Sequence, residues 1–312
     1  MDRVGVYAAS LVTEWFGGRS GRASRLAAQA ADGETPVFLA EGDGGTLARA
    51  IARLWEVESD PAAEEARQAM EERLSGGLVR GPHLLWVPPR AAVPVEEPDA
   101  SDFVQRVQQA VAPLQDGARG EVALPVPVQL AKMRDEGGYA SVIGGLSRWW
   151  TLITERVNGT VHVNSARIRR APQSAALREQ LFDLIGETSK GLNVGDAVEF
   201  DTIEAFTVQR LREEPLGATG FGIVQAPPGT DPSEGTLMRR VVRKRLKAAS
   251  EALAAVDADV KGVGLVAVYD YAEHENLGSF VKSLDPGLYA NLALVCAVVD
   301  GEVRPIFQPR AG

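Results

Sequence analysis

The chain has 312 residues, of which 45% are hydrophobic and 24% charged, and this composition is ordinary for a globular protein with one large or two smaller domains. Its net charge of −9 excludes a surface that is basic all over, so any contact with a polyanion has to be local. The single cysteine, Cys296, lies in an apolar run and excludes an internal disulfide. We expect it to be a buried strand residue of a cytoplasmic protein.

The sequence predicts neither a membrane-spanning segment nor a signal peptide. No apolar run approaches the roughly 20 residues that span a bilayer. The N-terminal stretch has an apolar run broken by Glu14 and lacks the cationic lead of a signal peptide. We therefore expect no membrane partner.

Residues 1–87 are predicted to form a helix-rich region with short strands. The apolar spacing predicts helices and strands in chain order at 2–17 (helix), 19–31 (helix), 35–39 (strand), from Thr46 (helix), 61–74 (helix) and 84–87 (strand). The Gly-rich turn Glu41–Gly45 lacks the Gly-Lys-Ser/Thr ending of a P-loop and the ligand spacing of a calcium loop, so it is interpreted as a turn.

Residues 88–101 are rich in proline and acidic residues and are predicted to be a linker. The region 102–172 is predicted to be a connecting helical region, with helices at 103–111 and 139–157. The second of these carries Trp149 and Trp150, which point about 100° apart on a helix. One ring is expected to enter the core and the other to lie at its rim, where base stacking is the alternative to packing.

Residues 173–312 are predicted to be a mixed α/β domain, which makes the whole chain α/β (α+β) in class. The predicted elements in order are a helix at 174–189, strands at 197–201, 205–212 and 221–225, a helix at 236–256, a strand at 263–269, a helix at 277–284 and strands at 292–299 and 303–307.

The predicted helix 236–256 has the most pronounced charge pattern in the chain. One face carries the apolar residues Leu237, Val241, Val242, Leu246, Ala249 and Leu253. The other face is predicted to carry the cations Arg239, Arg240, Arg243, Lys244, Arg245 and Lys247. A solvated face paired with carboxylates elsewhere is one interpretation. A surface that contacts nucleic acid is the other, through Arg239, Arg240, Arg243, Lys244 and Lys247.

The order helix, three strands, helix, strand over residues 174–299 resembles the core of the restriction-endonuclease-like, or PD-(D/E)xK, nuclease superfamily. The resemblance rests on element order and not on a motif. It implies an acidic residue on the second strand and a D/E-x-K on the third, which together hold a divalent metal and the attacking water. It also implies a glutamate on the first helix and a helix after the third strand that faces DNA.

The residues implied by this resemblance are only partly present. Glu179 or Glu187 corresponds to the first-helix acid. Glu199, Asp201 and Glu204 follow on the first two strands and their connection, and Glu199 and Asp201 share a face because strand side chains alternate. The third strand, 222–226, has neither the acid nor the lysine. The resemblance therefore implies a nuclease-like protein that has lost catalysis.

Two smaller clusters are candidate sites. His274 lies among Asp270, Glu273 and Glu275 after the predicted strand 263–269, where ligands often bind in open sheets, although an exposed loop is the alternative. Arg167, Arg169 and Arg170 are either a solvated loop or a phosphate contact. The chain's three histidines do not have the spacing of a zinc site.

Three functions remain open. The first is a catalytically degenerate, nuclease-like protein that contacts nucleic acid or a nucleic-acid-handling complex through the basic helix. The second is a non-enzymatic adaptor that binds a protein partner. The third is a metal-dependent phosphodiester hydrolase with Glu179, Glu199 and Asp201 as catalytic candidates, and only this one requires a cofactor, a divalent metal such as Mg²⁺.

Overall fold

The structure is a computed structural model that describes residues 2–21, 23–32, 34–43, 45–53, 61–87, 93–165, 171, 175–226, 235–267 and 279–307. It confirms the predicted α/β class. The α-helices include α1 (Arg3–Ser20), α2 (Pro61–Ser75), α3 (Asp99–Val111), α4 (Trp150–Thr154), α5 (Ala175–Gly191) and α6 (Gly235–Ala254). Short 3-10 helices lie at Ser147–Trp149, Pro215–Gly217 and Pro286–Tyr289.

The strands alternate with these helices along the chain. They are β1 (Ser24–Ala31), β2 (Val37–Gly42), β3 (Gly45–Arg53), β4 (Pro82–Trp86), β5 (Arg119–Arg134), β6 (Tyr139–Gly144), β7 (Thr160–Ser165), β8 (Ala197–Arg210), β9 (Gly220–Val224), β10 (Val260–Val266), β11 (Leu294–Val299) and β12 (Glu302–Phe307). The chain forms two compact units, the first made of Met1–Gly120 and Thr207–Gly312 and the second of Glu121–Phe206.

Five predicted elements differ from the structure: three helices and two strands. The predicted helices at 19–31 and from Thr46 are the strands β1 and β3, which pair with the two sides of β2. The predicted helix at 139–157 is strand β6 followed by a 3-10 turn and α4, so the region 102–172 contains strands besides its helices. The two predicted strands at 197–212 are the single strand β8. Where β1, β3 and β6 replace predicted helices, cross-strand pairing outweighs local propensity.

The first unit is built around a six-stranded sheet, here called the central sheet. Its order is β1-β2-β3-β10-β11-β12. The first three strands form an antiparallel meander, β3, β10 and β11 run parallel, and β12 returns antiparallel to β11. The six residues of β11 are all buried, as expected for a parallel strand covered on both faces.

Helix α1 lies in the middle of the first unit and contacts the central sheet as well as β4 and β9. Because it is enclosed, apolar residues are buried around most of its circumference, including Val4, Val6, Tyr7, Leu11 and Val12. The approach to β10 is close: a Cβ on Gly264 would lie 3.2 Å from Cγ2 of Val12. Glycine at this position therefore lets the helix pack directly on the sheet.

A buried arginine joins α1 to the central sheet. The side chain of Arg49 on β3 is almost fully buried and donates hydrogen bonds to the carbonyl of Ala9 and to Oγ1 of Thr13. Its guanidinium also lies 5.9 Å from the ring centre of Phe16. Burial lowers the pKa of Arg49 to about 10. The guanidinium is thus held by a carbonyl, a hydroxyl and a ring of α1.

Strand β9 of the first unit has one edge covered by side chains of α2. Oγ of Ser75 accepts from the backbone N–H of Phe221 at 2.8 Å, and Oε1 of Glu71 accepts from that of Ile223 at 2.7 Å. Nη1 of Arg67 donates to the carbonyl of Ile223 and pairs with Glu71. Residues spaced by four lie on one stripe of a helix, so α2 satisfies the edge of the strand with a single row of side chains.

The second unit has a sheet in the order β6-β7-β5-β8, here called the second-unit sheet. Strand β7 pairs antiparallel with β5 and parallel with β6. One face of this sheet packs on the helices α4 and α5 through buried residues such as Val161, Val163, Ile153, Phe182 and Ile185. The opposite face carries polar and aromatic side chains.

Removal of the Glu71 carboxylate should lower the free energy of unfolding. Glu71→Ala leaves the buried N–H of Ile223 without an acceptor, which costs about 1–3 kcal/mol, while Arg67 keeps its ion pair with Glu64. Glu72→Ala, at an exposed position of the same helix, is the matched control and should change stability by less than about 0.5 kcal/mol. Urea titration of both variants measures the difference, and equal losses would contradict the proposed role of the α2 stripe.

Candidate nucleic-acid interface

Helix α6 packs on strands β3 and β10 of the central sheet. Its contact face is apolar, with the buried residues Met238, Val242, Leu246, Ala249 and Leu253. These positions repeat at three- and four-residue steps, which places them on one side of the helix. The apolar face predicted from the sequence is therefore confirmed, with Leu237 and Val241 partly buried at its margin.

The opposite side of α6 carries a continuous basic surface. Arg239, Arg240, Arg243, Lys244 and Lys247 are all exposed. At 100° per residue these five side chains fall within an arc of about 140°, and they extend about 12 Å along the helix axis. We call this set of five residues the basic face. All five residues predicted as a nucleic-acid contact therefore lie together on one accessible surface.

The basic face is hardly neutralised by the protein itself. Within the described part of the chain, its one ion pair joins Nζ of Lys247 to Oε1 of Glu251 at 3.8 Å, and both side chains are more than half exposed. The guanidinium of Arg239 lies 5.3 Å from the ring centre of Phe280, which orients it by a cation–π contact. The other three cations have no ion pair with a described residue.

The sixth cation of the helix does not belong to the basic face. The sequence pattern predicts that Arg245 lies with the other cations, but its side chain is buried. Position 245 falls within about 20° of the buried position 238 on the helical projection, so packing and not charge decides its direction. This prediction is corrected: α6 presents five cations to solvent.

Two of the catalytic candidates, Glu179 and Glu199, bind neighbouring side chains of the protein. Glu179 on α5 pairs with Arg156, whose Nε also donates to Oδ1 of Asp183 at 3.2 Å. Glu199 on β8 accepts a hydrogen bond from Nε2 of Gln129 at 3.0 Å. Asp201 lies in β8, and its side chain is outside the described residues.

Among the described residues, no group of three or more His, Cys, Asp or Glu side chains is arranged to hold a metal ion. The cluster around His274 and the arginines at 167, 169 and 170 lie outside the described residues, and so do the side chains of Asp201 and Glu204. The metal-dependent hydrolase therefore stays a prediction.

The two adjacent tryptophans differ in solvent exposure, as expected. Trp149 is half-buried against Phe182, with ring centres 5.9 Å apart, whereas Trp150 is 47% exposed. Trp150 lies next to the exposed ring of Tyr139, at 6.2 Å between ring centres. The prediction placed Tyr139 in a helix and so missed this pair. The alternation of Tyr139, Ser141 and Ile143 on the exposed side of β6 is the signal that identifies it.

Two other titratable groups are buried in the first unit. Cys296 is fully buried on β11, as predicted, and burial raises the pKa of its thiol to about 12. His83 on β4 is stacked on Phe221 at 4.7 Å, and Nδ1 of its ring lies 3.0 Å from the carbonyl of Gly81. Burial is the main cause that lowers the pKa of His83 to about 4. Neither group is placed to act on a substrate.

Among the helices of the described segments, none combines the length and the hydrophobicity of a membrane span. Comparisons of the chain with protein-family models, with curated proteins and with solved structures found no match. The proposals below therefore depend on the chemistry of the surfaces themselves.

The buried His83 should make the protein less stable in mild acid. Its pKa in the folded protein is about 4 against 6.5 for an unperturbed histidine, so between these values only the unfolded chain takes up the proton. The stabilisation is present above pH 6.5 and is lost as the pH falls toward 4, with a slope of at most about 1.4 kcal/mol per pH unit. Urea titrations of the wild type and of His83→Gln over this range measure the slope. An unchanged slope in the variant would contradict the assignment.

Proposed function

We propose that this protein binds nucleic acid, without cleaving it, through the basic face of α6. The observation that carries the proposal is the basic face itself. Five exposed cations lie on one side of α6, with a single ion pair to a described residue, in a protein whose net charge is −9. A phosphate backbone supplies negative charges at regular, closely spaced intervals. A row of arginine and lysine side chains about 12 Å long matches several phosphates along such a backbone.

The arrangement of charges on α6 reduces the stability of the helix. Like charges at i,i+4 cost roughly 0.2–0.5 kcal/mol for each pair. The basic face contains three such pairs: Arg239 with Arg243, Arg240 with Lys244, and Arg243 with Lys247. A bound polyanion removes this repulsion, which favours a ligand-binding role over a merely solvated face.

The resemblance of residues 174–299 to a nuclease core stays a prediction. The strands predicted at 197–201 and 205–212 are the single strand β8, so the described α-helices and strands of this range are α5, β8, β9, α6, β10 and β11, with two strands and not three between the helices.

The composition of β9 supports a loss of catalysis. This strand, Gly220–Val224, contains no acidic residue and no lysine, and so it supplies neither the metal ligand nor the lysine that the resemblance implies. We therefore propose binding and not hydrolysis, in the reducing compartment that a single buried cysteine favours.

Neutralisation of two cations should weaken nucleic-acid binding without harm to the fold. In the double variant Arg243→Gln, Lys247→Gln, we expect the Kd for a duplex of about 20 base pairs to rise at least about tenfold at low salt, because two phosphate contacts are lost. The slope of log K against log salt should fall by about 2. Two like-charge pairs of α6 are removed and the exposed Lys247–Glu251 ion pair is lost, so these small effects oppose each other and the free energy of unfolding should change by less than about 0.5 kcal/mol.

The matched control is Arg80→Gln, Lys190→Gln, which changes the net charge by the same amount at exposed positions that are not part of α6. Fluorescence anisotropy at several salt concentrations measures both double variants. Equal affinities for the two would contradict the proposal, and so would wild-type protein that shows no salt-dependent binding. If wild-type protein co-purifies with a stoichiometric protein partner and binds no nucleic acid, the adaptor function replaces the nucleic-acid-binding function proposed above.

A further inference from the structure

The exposed face of the second-unit sheet is formed by side chains that alternate with the buried ones. Strand register places Gln129 of β5 opposite Asn164 of β7, and Asn164 opposite Ile143 of β6. The next row along the strands contains His162 and Ser141. None of these five side chains is fully buried, whereas their neighbours in the strands pack on α4 and α5. We call this surface the open face.

The centre of the open face carries two neighbouring rows of polar side chains, which we together call the polar row. Nδ2 of Asn164 donates to Oε1 of Gln129 at 3.3 Å, and Nε2 of Gln129 donates to Glu199 at 3.0 Å. Nδ1 of His162 lies 3.4 Å from Oγ of Ser141. An apolar partner helix on this row would bury amide, imidazole and hydroxyl groups without new hydrogen bonds, at a cost in free energy. The chemistry of the row favours a ligand with its own donors and acceptors.

An aromatic pair lies at the β6 edge of the open face. Tyr139 belongs to the open face, whereas Trp150 is the first residue of α4, which packs on the opposite face. The two residues are 48% and 47% exposed, and their rings are tilted by 56° at 6.2 Å between centres. Ile143 and Met133 are also exposed, although both are large and apolar. Aromatic rings that keep half of their surface in water offer flat faces for a planar ring to stack on.

Two guanidinium groups lie in the segments next to this aromatic pair. Arg134 is the last residue of β5 and is exposed, and Arg148 is exposed two positions before Trp150. Neither has an ion pair with a residue that the structure describes, although the guanidinium of Arg148 lies 5.2 Å from the ring centre of Trp149. The neighbouring Asp135 is paired with Lys132 at 3.0 Å. Stacking rings, base-edge donors and acceptors and accessible cations are the three kinds of group that bind single-stranded nucleic acid.

We infer that the open face binds unpaired bases of a single-stranded nucleic acid, which stack on Tyr139 and Trp150 and present their edges to the polar row. The inference rests on the proposed function for its class of ligand, nucleic acid. Its surface is the open face of the second unit and not the basic face of α6. A duplex keeps its bases stacked and paired, so it does not offer the ring faces that this surface requires. The two surfaces therefore predict different preferences among nucleic acids.

The experiment compares a single strand of about 12 nucleotides that contains 2-aminopurine with a duplex of the same sequence. In the double variant Tyr139→Ala, Trp150→Ala, we expect the Kd for the single strand to rise at least about tenfold, because each lost stack weakens binding about fivefold or more. Quenching of 2-aminopurine by the wild type should be lost in this variant. The Kd for the duplex and its salt dependence should not change.

Two further variants test whether the rings act by stacking. Tyr139→Phe keeps the ring and should bind the single strand as the wild type does. The double variant Leu184→Ala, Val194→Ala removes exposed apolar side chains elsewhere in the second unit and should have no effect. All variants change exposed residues, and urea titration checks that their stability is that of the wild type.

The outcomes separate this inference from the proposed function. If the α6 variant changes nothing and the Tyr139, Trp150 variant abolishes single-strand binding, the proposed function fails and the inference stands. Unchanged single-strand affinity and quenching in the Tyr139, Trp150 variant overturn the inference whatever α6 does. If that variant instead alters only self-association in sedimentation, the open face is a protein interface and the inference is wrong.

Discussion

The burial of α1 between two sets of strands is the constraint on which the first unit depends. A helix that contacts the central sheet on one side and β4 and β9 on the other needs apolar residues around most of its surface. A backbone carbonyl and one threonine of this helix then bind the guanidinium of Arg49, so that a cation buried deep in the sheet is held by the helix. The edge of β9 is closed by α2, and α6 covers the strands β3 and β10. The outer side of α6 is left for contacts with another molecule.

The sequence predicted the helices of this arrangement better than its strands. The strands β1 and β3 are rich in alanine, and in β3 the residues Leu47 and Ile51 are four apart, which is helical spacing. In the structure β3 is a central strand with residues 47–52 all buried, so its apolar residues do not alternate with exposed polar ones. Periodicity alone does not distinguish such a strand from a buried helix. The pairing of β3 with β10, which lies far along the chain, decides its structure.

The two candidate surfaces differ in how far the sequence identified them. The basic face of α6 was predicted residue by residue, because charge and apolar spacing coincide in one uninterrupted helix. Arg245 was misplaced since the cations surround more than half of the helix, and only packing selects the one that is buried. The open face was missed because its residues come from β5, β6 and β7, and no local pattern shows that Gln129, His162 and Tyr139 lie on one surface.

The parallel pairing of β3 with β10 has a consequence for the way the chain folds during synthesis. Leu47 pairs with Val260, and β11 follows only at Leu294. Until those strands emerge from the ribosome, one edge of β3 and much of the surface of α1 have no partner, and such edges are prone to pair with other chains. The second unit, Glu121–Phe206, is continuous in sequence and is complete before that point. A chain with this topology gains from fast elongation after residue 206, or from a chaperone that covers the unpaired strands β1–β3 until β10 is made.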